Sequence, residues 1–119
     1  MSGKKSNGNG IYCKIKGIIK RDLNRDERQA IYKAWEDARR GKDLSVEKMT
    51  KIALFVIQSR EINSGLGSFE RESGKVLSDR EREKVQAAIM PNKEEIYAGV
   101  IVSAQEVRER VETLLLCDQ

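Results

Sequence analysis

Residues 92–107 read NKEEIYAGVIVSAQEV, and the reading of their apolar middle decides whether the chain is all-α or mixed. The run IYAGVIV at 96–102 could be a β-strand, followed by a helix capped at Ser103. In the other reading Asn92 and Glu95 form a capping box, and one helix runs from about 93 to 116. At 100° per residue, Ile96, Val100, Ser103, Val107, Val111 and Leu114 fall within roughly 80° of arc. That narrow seam favours the long helix, and a seam of this shape packs against a bundle or against its own copy.

Working outward, the same start signal recurs. Leu23-Asn24-Arg25-Asp26-Glu27 and Leu77-Ser78-Asp79-Arg80-Glu81 each place an apolar residue, an Asn or Ser cap, and a Glu three positions on. The cap side chain accepts the N–H of the third helical residue, while the Glu reaches back to the cap N–H. Val102-Ser103-Ala104-Gln105-Glu106 repeats the form and Leu44-Ser45-Val46-Glu47 nearly does. These signals predict helices at about 25–40, ended by Gly41, at about 46–61, and at about 79–90, stopped by the single proline, Pro91. In the first, Ile31, Ala34, Trp35 and Ala38 form an apolar stripe, with Trp35 read as core. In the second, Met49, Ile52, Ala53 and Val56 face one way while Leu54 and Phe55 point elsewhere. A helix apolar on more than one side is central to its bundle or is covered by another chain. Residues 11–19 fit both an alternating strand and a helical stripe through Ile11, Ile15 and Ile18; the helical surroundings favour helix. The expected fold is therefore all-α: a compact bundle of four to five helices over a single domain at 11–119. A flexible basic tail at 1–10 precedes it, and there is room for a minor β-hairpin near 69–77.

Composition narrows the function classes. The 119 residues are 39% hydrophobic and 35% charged, and the longest purely apolar run is the IALFVI of 52–57. That run is far short of a membrane span, and the opening MSGKKSNGNG lacks the apolar segment of a secretory signal. Cys13 and Cys117 make neither a disulfide framework nor a zinc-ligand pair, so reduced thiols in a cytoplasmic or nuclear compartment are expected. The chain has no histidine, which removes Ser-His-Asp and Cys-His catalysis and His-ligated metals. No enzyme activity, cofactor, metal or membrane association is expected.

The stretch GLGSFERESGKVL at 65–77 resembles a phosphate loop only superficially. A Walker loop needs glycine five positions before Gly74, where Phe69 stands, and Ser or Thr after Lys75, where Val76 stands. Glu70 and Glu72 inside the stretch would repel a phosphate. It reads instead as a connector of about fifteen residues with a turn at Ser73-Gly74.

Charge is divided unequally along the chain. Residues 1–42 carry twelve Lys/Arg against five Asp/Glu, a net of +7, whereas residues 43–119 carry eleven against fourteen, a net of −3. A basic first third suits a polyanion. On the helix from Arg25, the residues Arg25, Arg28, Tyr32 and Arg39 share about 60° of arc beside Trp35. Lys14, Lys16, Lys20 and Arg21 precede them, and Arg40 and Lys42 follow. Phosphate neutralisation needs several cations on one surface and no particular motif, and an aromatic among arginines can stack on a base. The expectation is a non-enzymatic nucleic-acid-binding protein, RNA slightly before DNA, contacting the backbone through 14–42. Its size and basic tail suit a viral, phage or plasmid accessory factor. The alternative is a helical protein-interaction module, an adaptor or inhibitor docking on a protein partner. Leu54, Phe55, Val107, Val111, Leu114 and Leu115 are the candidate interface residues, and the C-terminal seam points to a homodimer.

Overall fold

The computed structural model describes the backbone of residues 9–117 and the side chains of residues 10–115. Its elements are all helices: α1 (Asn9–Ile19), α2 (Arg25–Arg39), α3 (Val46–Ser73), α4 (Asp79–Ile89), α5 (Lys93–Tyr97) and α6 (Ala104–Cys117). The expected tail at 1–10 overlaps α1 at Asn9 and Gly10, and its remainder, 1–8, lies outside the described residues. Residues 11–19 are helical, as the surrounding pattern favoured.

Local chemistry starts these helices where the caps predicted. Complete capping boxes form at Asn24/Glu27, Ser78/Glu81 and Asn92/Glu95. Ser45 accepts the Lys48 N–H, and Ser103 accepts the Glu106 N–H at 3.3 Å. Each such cap is worth about 1 kcal/mol against alanine.

α3 is the spine of the bundle. Its first half contributes Met49, Ala53, Leu54 and Ile57 to a cluster with Ile15, Ile31, Trp35 and Ile96. Its second half contributes Ile62 and Leu66 to another, with Leu77, Val85, Ile89, Val102, Val107 and Val111. The two-sided apolar character of this helix therefore marks a central position.

The structure departs from the sequence expectations at 62–77 and 96–103, and in the burial of three candidate interface residues. The helix expected to end at 61 continues to Ser73, so 65–77 is neither a fifteen-residue connector nor a β-hairpin. Gly65 lies inside α3 where α6 crosses it. A Cβ there would sit 2.5 Å from Val107 Cβ and 2.6 Å from the Ala104 carbonyl oxygen. Close packing of the two helices thus outweighs the ~1 kcal/mol that glycine costs a helix. The helix ends at Gly74, which takes φ +73 and donates its N–H to the Glu70 carbonyl at 2.9 Å. Glu70 then holds the short turn, accepting from the Leu77 N–H at 2.8 Å and from Arg82 at 2.7 Å.

The second correction concerns the opening stretch. No single helix runs from 93 to 116, and none of 96–102 is strand; α5 is one short helix, and a bend separates it from α6. The cause lies on α3. The buried Gln58 side chain donates to the Val102 carbonyl at 3.0 Å and accepts the Val102 N–H at 2.8 Å. Glu61 accepts the Ala104 N–H at 2.7 Å. These bonds satisfy backbone groups that a continuous helix would have paired internally. Gly99, at φ +92, turns the chain against α1, where a Cβ would meet Ile18 Cγ2 at 2.5 Å.

The bend also revises the seam. Val100 is 51% exposed, while Val107 and Val111 are 0% exposed and face α3. Leu54, expected at an interface, is a core residue at 1% exposure. These three are closed to a partner because α3 and its neighbours already cover them. Among the described residues no helix is long and apolar enough to cross a membrane.

Candidate nucleic-acid interface

α2 is pinned by its inner face. Trp35 donates its indole N–H to the Met49 carbonyl at 2.8 Å, and Tyr12 from α1 stacks on it with ring centroids 5.2 Å apart. Tyr12 also donates its hydroxyl to the Arg28 carbonyl at 3.2 Å. Burial pushes the Tyr12 pKa up; the charge of Arg28 pulls against it, and Tyr32 is close enough to add to the rise. Arg28 and Tyr32 therefore gather on the α2 flank beside Tyr12.

The structure sorts the ten expected phosphate contacts into two groups. Arg21, in the turn between α1 and α2, is structural. It grips Glu27 with two hydrogen bonds of 3.0 and 2.7 Å and reaches Glu61 at 3.1 Å. Glu27 is buried, and its carboxylate also caps Asn24. Lys16 pairs with Asp22 at 2.9 Å, and Arg39 with Glu36 at 3.3 Å. Lys14, Lys20, Arg25, Arg28, Arg40 and Lys42 are exposed, and none forms an ion pair among the described residues. Lys33, which the sequence reading passed over, is also exposed and unpaired among the described residues, but it lies on the face of α2 that carries Asp26 and Asp37. Tyr32, 54% exposed, shares the α2 flank of Arg25 and Arg28. The acids left unpaired on α2, Asp26 and Asp37, are turned more than about 100° away from the Arg28–Tyr32 flank.

Two of these cations carry an unusual backbone. Lys20 and Arg40 have φ of +61 and +47, and no other non-glycine residue among those described is left-handed. That conformation costs an ordinary side chain roughly 1–2 kcal/mol, which is why glycine or asparagine usually fills it. Here each instead adds positive charge beyond the C-terminal end of a helix, where the macrodipole favours it.

Of the expected interface residues, Phe55 remains 39% exposed. It lines a groove of about 640 Å³ on the outer side of α3 with Ile52, Val56, Tyr97, Lys48 and Lys51. Leu114 and Leu115 are partly buried and line a smaller groove of about 290 Å³ between α4 and α6. Among the described residues no three His, Cys, Asp or Glu side chains converge as metal ligands.

Comparison of the chain with protein-family models, with curated proteins and with solved structures found no match.

Proposed function

We propose that this protein binds nucleic acid through the phosphate backbone, along α1, α2 and the turn that leads into α3. The observation that carries this is the sorting of charge. Ion pairing inside the first third consumes Lys16, Arg21 and Arg39, and leaves Lys14, Lys20, Arg25, Arg28, Arg40 and Lys42 open to solvent. Solvent-exposed cations of this kind neutralise phosphates and release their counterions, giving affinity with little dependence on sequence. α2 alone spans about 22 Å, long enough to follow several phosphates. Left-handed Lys20 and Arg40 support the same reading, since each holds a cation where glycine would fold more easily. A helical adaptor keeps only Phe55, Leu114 and Leu115 of its expected contacts, because Leu54, Val107 and Val111 are core.

The test compares paired neutralisations at one low salt concentration, by electrophoretic shift of labelled RNA and DNA. Arg25→Gln/Arg28→Gln should weaken binding about tenfold or more, while Arg71→Gln/Lys93→Gln, equal in charge change, should leave it unaltered. Lys20→Gly/Arg40→Gly should also weaken binding, with thermal stability kept or raised by up to about 1–2 kcal/mol. Equal losses from all three pairs would reduce the effect to net charge and refute a defined interface.

A further inference from the structure

The groove on α3 begins close in the chain to Lys42, with the exposed Asp43 between them. Lys42 precedes Ser45, at the groove's rim, by three residues, so their Cα atoms lie within about 11 Å. Its floor is apolar and partly aromatic: Ile52, Phe55, Val56 and Tyr97. Its rim carries Lys48 and Lys51 against Glu47, a net of +1. Lys48 is exposed and makes no ion pair among the described residues, and Lys51 lies 5.2 Å from the centroid of the Tyr97 ring. The one acid there, Glu47, is exposed and bonded to Lys51 at 3.2 Å.

We propose that this groove receives the unpaired bases of a single strand whose phosphates lie on the α2 cations, with Phe55 as the stacking platform. The assignment rests on the nucleic-acid reading above and narrows it to single-stranded or locally unpaired polymer. Charge complementarity and the nearness of Lys42 select the occupant. An apolar floor alone would suit many partners, but aromatic rings under a rim of net positive charge, with Lys42 close by in the chain, suit a strand carrying both rings and phosphates. Stacking on an exposed ring requires a base face, which a duplex keeps inside its own stack. Any base has such a face, so the groove adds affinity with little sequence preference.

Fluorescence anisotropy with a short poly(U) strand, the same strand lacking its bases, and a duplex of equal length separates the contributions. Phe55→Ala should weaken poly(U) binding roughly 5- to 150-fold, the range for losing one stacked base. It should leave the baseless strand unaffected, and Phe55→Trp should retain full affinity. Arg25→Gln/Arg28→Gln should weaken both strands alike. Circular dichroism of each variant verifies the fold, and Phe55→Leu, which keeps an apolar side chain but removes the ring, serves in place of the alanine variant if that one unfolds, with weakened poly(U) binding expected. If Phe55→Ala shifts neither strand while the arginine pair shifts both, the groove assignment is wrong and the phosphate-binding reading stands. That result is also what a groove built for an apolar peptide would give. If no probe binds at all, both fail together.

Discussion

Gly65 and Gly67 stand two positions apart in α3 and answer to different constraints. At Gly65 an added methyl would strike both the Val107 side chain and the Ala104 carbonyl oxygen, and the backbone oxygen cannot rotate away. At Gly67 the nearest atom to an added Cβ is the flexible end of Arg71, at 3.4 Å. Gly65→Ala should therefore destabilise by about 1–3 kcal/mol as an overpacking change, despite the better helix propensity of alanine. Gly67→Ala should stabilise by up to about 1 kcal/mol. Urea titration reads both as shifts of the midpoint at constant slope; shifts of the same sign would mean that α6 does not cross α3 at Gly65. The same pair shows why the extent of α3 escaped a reading of residues in order. A glycine looks like a helix breaker until the helix it must admit is known, and that helix begins some forty residues later.

At the scale of elements, starts were legible and continuations were not. A cap involves residues three apart, so Asn24/Glu27, Ser78/Glu81 and Asn92/Glu95 could be found by eye. The break between α5 and α6 depends on Gln58 and Glu61, whose bonds to Val102 and Ala104 span 44 and 43 residues. In the candidate site, the grouping of Arg25, Arg28 and Tyr32 was legible from helical spacing, whereas the diversion of Arg21 into Glu27 and Glu61 was not. That diversion joins the α1–α2 turn to α3 and, through Glu61, to the start of α6. Burial would raise the Glu27 pKa, but hydrogen bonds from Arg21 and the Asn24 N–H, with the charges of Arg21 and Arg60, hold it below the ordinary value of 4.5. A carboxylate depressed in the folded state contributes stability that is present above its unfolded pKa and lost as pH falls through the folded one. Asp22 and Glu81 are shifted the same way, by Lys16 and by the Ser78 cap respectively. Stability measured by urea should thus fall on acidification below about pH 4.5. Glu27→Gln should cost about 1–3 kcal/mol at neutral pH and flatten that fall. An acid slope identical in wild type and Glu27→Gln would show that the Arg21–Glu27 pair does not bind the turn.

On the scale of the whole molecule, α3 belongs to both hydrophobic clusters, so one helix of about 42 Å organises the bundle. It presents α2 on one side and the Phe55 groove on its outer side. The arrangement leaves the basic first third as a surface in which Arg21 ties the α1–α2 turn to α3, while a second set of unpaired cations meets solvent. The central claim is that this second set neutralises phosphates, and the salt dependence of binding tests it most directly. Affinity for a single-stranded probe, measured from about 50 to 200 mM salt, should fall along a straight line of log K against log salt. Five or six engaged phosphates predict a slope of about −3.5 to −4.2, made shallower by about 1.4 in Arg25→Gln/Arg28→Gln, two contacts being lost. No binding at about 50 mM salt, or a slope near zero, would contradict it.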